Sequence, residues 1–157
     1  MHVIDFLYSL TTVEFKPAMF INAGYCHINR TIIMEGISKE ERTVAVLILL
    51  VHELGHAWYG HSMSHSEMFG YGDMRGVYQR EKEAWRWAVQ TLRELDLLDK
   101  YRSFLCRDMR DALSSYRMFT THSCYNDFAY EAQAVLFADE AQAVLQEARQ
   151  VQVTEHI

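Results

Sequence analysis

An unbroken apolar run, VAVLILLV at residues 44–51, leads directly into HELGHAWYGH at residues 52–61. That junction limits the fold more than any other part of the chain. Eight consecutive apolar residues offer no polar face, so the element they form lies inside the core on all sides. No turn signal separates them from the histidines. Ser38 and Glu41 in SKEE have the spacing of a capping box, and Gly60 is a helix stop, which predicts one helix over about 39–59. Residues four apart share a helix face. His52 and His56 therefore sit one above the other near the end of a buried helix. Burying two histidines and a glutamate without partners is costly. Gly55 between them costs about 1 kcal/mol of helix propensity against alanine. Its missing side chain leaves room for a neighbouring strand or a substrate to approach.

This spacing is that of HExxH, two imidazoles able to bind one ion, with Glu53 placed to reach a water on that ion without binding it. The chain is thus expected to hold Zn2+. A catalytic zinc commonly has three protein ligands and an open position. Four downstream residues compete for the third place: His61, His65, Glu81 and Glu83. The long form HExxHxxGxxH requires glycine at 59 and histidine at 62, where the chain has Tyr59 and Ser62. Glu81 is favoured. It precedes Ala84, Trp85 and Ala88 at three- and four-residue steps, and the two alanines permit close approach to the first helix. The same carboxylate would also serve as a solvated first-turn residue complementing the helix dipole. Glu83 is turned 200° from Glu81 on an ideal helix, about 100° per residue.

The rest of the chain frames this centre. One proline and seven glycines in 157 residues favour helix over a loop-rich fold. Residues 1–15 suit either a short helix or a strand ending near Lys16-Pro17. Residues 18–34 read as β, with a hairpin of about 24–28 and 31–34 or a single bent strand. Residues 60–76 form a loop holding four of the seven glycines. Helices are predicted over about 77–97, 100–118 and 127–150. The last contains EAQAVL twice, nine residues apart, which turns the second copy to the opposite face. Its apolar content suits core packing or a homo-oligomer contact.

Half of the residues are apolar, enough for one domain with one core. The net charge of −6 argues against a nucleic-acid surface. Cys26, Cys106 and Cys124 are an odd set without a CxxC pair, as expected of reduced thiols. MHVIDFLYSL lacks a basic n-region and a cleavage site, and eight apolar residues are too few for a bilayer. A soluble cytoplasmic protein without membrane contact is the expectation.

The segment TIIMEGISKEERTVAVLILLVHELGHAWYGH, followed by EKEAWRWA, resembles the ImmA/IrrE family of zinc metallopeptidases over residues 24–92. The resemblance implies that His52, His56 and Glu81 bind zinc and that Glu53 is the general base. Ala84 and Ala88 match the family's alanines, and Trp87 stands where phenylalanine is usual. Trp85 departs from the pattern, replacing an asparagine or aspartate that would support a zinc histidine. The implied fold is a minimal zincin-type α+β domain, mostly helical, with a small twisted sheet on the zinc helices. Its core would span about 18–97, with a helical extension over about 100–150. The implied activity is cleavage of a specific protein, a repressor or other regulator, often phage- or mobile-element-encoded.

In that mechanism Glu53 moves the water proton to the leaving nitrogen. His61, His65, Tyr71 and Tyr78 are candidate oxyanion donors or supporting groups. An extended substrate would lie along an edge strand near 31–34. Two other readings compete. With His65 as third ligand, HSEMF would resemble the HGxxF/W of SprT-like proteases. Alternatively the chain keeps zinc structurally and sequesters a partner, a reading to which AWRWA lends weight.

Overall fold

The computed structural model describes residues 2–64, 67 and 75–117, with Tyr116 and Arg117 by backbone alone. Over these residues the chain is α+β. In chain order the elements are α1 (Val3–Tyr8), β1 (Thr12–Lys16), β2 (Asn22–Cys26), β3 (Thr31–Glu35), α2 (Val44–Tyr59), α3 (Arg75–Glu94) and α4 (Leu98–Arg117). The first sixteen residues thus contain both alternatives, a six-residue helix and then a strand ending before Pro17.

The three strands form one sheet in the order β1-β3-β2. β3 pairs with β1 in parallel and with β2 antiparallel. Register places Val13, Ile32 and Tyr25 in one row and Phe15, Met34 and Ala23 in the next. Ile32 and Met34 are fully buried, and the other four residues pack against the same core. Alternate residues Thr12, Glu14 and Lys16 of β1 are exposed. This period of two is what a sheet covered on one face requires. β3, expected as the edge along which substrate would lie, is instead the central strand. Both of its edges are already bonded, and the edge nearest the histidine helix belongs to β2.

α2 lies between the sheet and α3, and is buried from Val46 through Gly55 except for the half-buried Leu49. Its apolar run has no polar face because the sheet, α1, α3 and α4 all pack against it. The helix begins at Val44, not near 39. Thr43 is its N-cap, with the hydroxyl accepting from Val46 N at 3.3 Å. The Arg42 guanidinium holds the Lys39 and Glu41 carbonyls at 2.6 and 2.9 Å and pairs with Asp5 on α1. Those carbonyls are bound in a turn, so the SKEE capping box does not form a helix start.

α3 buries a stripe of Val77, Glu81, Ala84, Trp85, Ala88, Val89 and Leu92, with Glu81 its charged member. The helical period that places the alanines against α2 also places Glu81 there. A left-handed residue, Asp96 at φ 58°, ends α3, and Leu97 N bonds Leu92 O at 2.8 Å. α4 then seats Leu98, Leu105, Met109 and Leu113 in the same core. The expected helix over 127–150, the EAQAVL repeat, Cys124, His65 and Tyr71 lie outside the described residues. Among the described residues no helix is long and apolar enough to cross a membrane.

Candidate metal centre

Two helices bring three potential ligands together. His52 and His56 project from the last turns of α2, and Glu81 projects from α3. The two Nε2 atoms are 3.2 Å apart. One Glu81 oxygen lies 3.2 Å from His52 Nε2, and the other lies 3.2 Å from His56 Nε2. A tetrahedral ion with bonds of about 2.0–2.1 Å sets its ligand atoms about 3.3–3.4 Å apart. The three side chains are therefore close enough to share one metal ion, and two imidazoles with a carboxylate are a donor set suited to a divalent transition metal.

The groups are close because α2 and α3 are close. A Cβ built on Gly55 would meet Ala84 O at 2.6 Å and Ala84 Cα at 2.8 Å. Gly55 was expected to make room for a strand or a substrate. The room is taken by the backbone of α3, nearly one turn past Glu81.

Burial and charge set the protonation of the three carboxylate and imidazole groups. Burial alone would raise the Glu81 pKa, but hydrogen bonds and charge from His52 and His56 outweigh it and bring it down to about 2. Burial works against a charged His56, yet the Glu81 hydrogen bond and the charges of Glu81 and Glu53 raise it on balance. Without metal, Glu81 and His56 thus form a buried ion pair. Glu53 is different. Burial pushes its carboxyl above the ordinary range, against the opposing pull of both imidazoles and of a hydrogen bond from the Tyr25 backbone. Its Oε1 is 3.8 Å from His52 Nε2, beside the three ligands and not among them. A carboxylate whose proton affinity is raised by burial suits proton transfer.

The pH dependence follows from these directions. The His56 contribution to stability is complete below its unfolded value, about 6.5, and is lost as pH rises through the raised folded value. The Glu81 contribution is present above its unfolded value of 4.5 and is lost as pH falls through about 2. Metal binding needs neutral His56, so a divalent ion competes with its proton. The metal-free protein is expected to melt at falling temperature from about pH 6 to 8, while the rise in melting temperature on adding a divalent ion grows over the same range. Thermal scans across that range check this. Parallel profiles with and without metal would contradict it.

A cleft of about 430 Å³ opens onto the centre. Gly24, Tyr25 and Cys26 of β2 line one side, and His52, Glu53, His56 and Glu81 line the floor. Gly24 presents no side chain, and a Cβ there would meet nothing within 4 Å.

The other expected residues sort as follows. His61 borders the cleft, but both its ring nitrogens are engaged, Nδ1 with His56 Nδ1 at 2.9 Å and Nε2 with Glu83 Oε2 at 3.0 Å. Burial lowers its pKa despite the Glu83 carboxylate. It has no hydrogen left for an oxyanion. Tyr78 packs against the core with Lys82 over its ring, its buried hydroxyl has no partner among the described residues, and it does not line the cleft, so the structure does not place it as an oxyanion donor. Trp85 does not support a metal histidine by hydrogen bonding. It stacks on His52 with ring centroids 4.1 Å apart, and both Trp85 Nε1 and His52 Nδ1 are buried without a partner among the described residues. Glu83 is not among the three candidate ligands; its carboxylate bonds His61 instead.

Two groups in the cleft were not anticipated. The Tyr25 backbone donor to Glu53 has no side-chain signature and could not be found from residue types. Arg80 lines the cleft and bonds Glu67 Oε1 at 2.7 Å, tying the segment after α2 to α3. Glu67 also accepts from Ser64 N at 2.7 Å while Glu67 N bonds Ser64 Oγ at 3.3 Å. This is a capping box legible as SHSE.

A comparison of the chain with protein-family models, with curated proteins and with solved structures finds no match.

Proposed function

We propose that this protein is a zinc-dependent peptidase. The observation that carries the reading is the arrangement of His52, His56 and Glu81 at mutual distances near 3.2 Å, with Glu53 beside them, on the floor of a cleft walled by an edge strand. Zinc suits the donor set, and when bound it would acidify water and polarise a scissile carbonyl. Glu53 accepts the water proton and delivers it to the departing nitrogen. The Tyr25 N–H holds the Glu53 carboxylate, so β2 orients the base as well as walling the cleft. An extended peptide lies along β2, where Gly24 lets backbone approach backbone. This corrects the strand along which substrate was expected.

The fold fits a small zincin-type domain, and the resemblance to the ImmA/IrrE peptidases supports a repressor or other regulatory protein as substrate, cut in the cytoplasm. The test has two parts. Purified protein should hold one zinc per chain by elemental analysis, and Glu81→Ala should lose it. The zinc-loaded chain should cut members of a proteome-derived peptide library, with cleavage stopped by a chelator and restored by zinc. Absence of zinc binding overturns the reading. One firmly held zinc with an uncut library would favour a zinc-holding binding protein.

A further inference from the structure

Outside the three ligands, two side chains form a hydrogen-bonded line that ends on one of them. His56 Nδ1 is 2.9 Å from His61 Nδ1, and His61 Nε2 is 3.0 Å from Glu83 Oε2. Each link needs one donor and one acceptor. A carboxylate only accepts, so the proton between His61 and Glu83 sits on His61 Nε2. A neutral imidazole carries one N–H, so His61 Nδ1 is an acceptor. His56 Nδ1 must then be the donor. When His56 gives up its second proton to a metal, the lone pair is therefore on Nε2, the atom 3.2 Å from both His52 Nε2 and Glu81 Oε1. A carboxylate two residues past Glu81 thus sets which nitrogen of His56 is free for the metal.

We propose that His61 and Glu83 are positioning residues, holding His56 in the tautomer and orientation that bind metal. The proposal rests on the metal reading of the site.

The backbone builds this line locally. Gly60 is left-handed at φ 62°, and the cap it forms bonds His61 N to His56 O at 3.0 Å. The chain therefore reverses and returns the His61 ring to His56. The Tyr59 ring lies nearly parallel to it, 13° away in plane. The His61 side chain is 9% exposed, whereas that of Glu83 is 48% exposed. Glu83 anchors the line from the solvent side.

The contrast with His52 gives the line its weight. A metal on His52 Nε2 leaves the proton on Nδ1, and the residue against that ring is Trp85. An indole N–H only donates, so it cannot accept the Nδ1 proton. His52 is held by stacking. His56 is the metal histidine held by hydrogen bonds, and the polar support missing at Trp85 is supplied from the helix cap and from Glu83.

The test measures zinc affinity of the full chain by competition with a chromophoric chelator. Supporting partners of metal ligands are commonly worth about 10- to 100-fold in affinity. His61→Phe and Glu83→Ala should each weaken zinc binding within that range. Glu83→Gln keeps an accepting oxygen and should recover most of the loss. The double variant His61→Phe/Glu83→Ala should bind no more weakly than His61→Phe alone, because a broken line cannot be broken twice. Circular dichroism of the metal-free variants establishes that they fold. If His61→Phe does not fold, Glu83→Ala, at an exposed carboxylate, carries the test. Zinc affinity within twofold of the parent in Glu83→Ala, or multiplicative losses in the double variant, would overturn the proposal. A parent chain that binds no zinc would instead overturn the metal reading beneath it.

Discussion

Glu53→Gln is expected to keep zinc affinity at the parent level and to lower peptide hydrolysis by about two to four orders of magnitude, the usual worth of a general base. The substitution is nearly isosteric. Glu53 Oε1 is 3.8 Å from the nearest ligand nitrogen, so the three ligand atoms are untouched. The glutamine oxygen can still accept from the Tyr25 backbone, so β2 should not move. What is lost is the ability to take a proton. A second readout separates this from a general defect. Burial raises the folded Glu53 pKa, so the folded chain favours the protonated form. Its contribution is full at low pH, declines as pH rises from the unfolded value of 4.5, and becomes a fixed penalty above the folded value. Glutamine is neutral throughout and escapes that penalty. The metal-free Glu53→Gln protein should therefore melt higher than the parent at neutral pH, as expected where an active site carries a destabilising charge. Zinc titration, library cleavage and thermal melting together check the three statements. Undiminished cleavage would remove Glu53 from the mechanism.

The parts of this site written in local periodicity were legible in the sequence. HExxH fixes a helix face by spacing alone, and Glu81 shares the stripe of Ala84 and Ala88, so the structure brings all three candidate ligands together. The ambiguous N-terminus resolved into a helix and a strand because each is too short for periodicity to separate them. The start of α2 was misplaced because SKEE is a good local capping signal. A tertiary contact competes with it, since Arg42 reaches Asp5 on α1 and ties up the carbonyls before Thr43. Which strand forms the edge was illegible for a different reason. β3 becomes central only when β1 pairs with it in parallel across the connection that contains β2, a non-local choice. The role of Trp85 was half legible. Its donor-only chemistry ruled out support by accepting a hydrogen bond, but only the packing of α3 on α2 shows that it lies on the face of His52. His61 was read as a candidate ligand or oxyanion donor because sequence shows that it follows a helix stop and not where the reversed chain returns.

Gly55→Val is expected to be the most damaging single substitution outside the ligands. On helix propensity alone, Gly55→Ala would gain about 1 kcal/mol. The geometry opposes that gain. A Cβ at 55 would stand 2.6 Å from Ala84 O, 2.8 Å from Ala84 Cα and 3.0 Å from Ala84 C. These are backbone atoms of a buried helix and cannot rotate away. Overpacking of this kind commonly costs about 1–3 kcal/mol, so alanine should be net destabilising and valine, with two more methyl groups, clearly worse. The damage should also reach the metal. α2 carries His52 and His56 and α3 carries Glu81, so a wedge at the Gly55–Ala84 crossing opens the ligand distances beyond tetrahedral reach. Zinc affinity should fall together with melting temperature, although Gly55 touches no ion. The backbone nature of the contact supplies a control. Ala84→Gly removes only a methyl group that takes no part in the clash, so Gly55→Ala/Ala84→Gly should not be rescued. A contact with the Ala84 side chain would be relieved by the same change. Thermal melting and zinc competition on the three variants distinguish these cases. A Gly55→Ala protein as stable as the parent, with unchanged zinc affinity, would mean that α2 and α3 are not held together at this crossing.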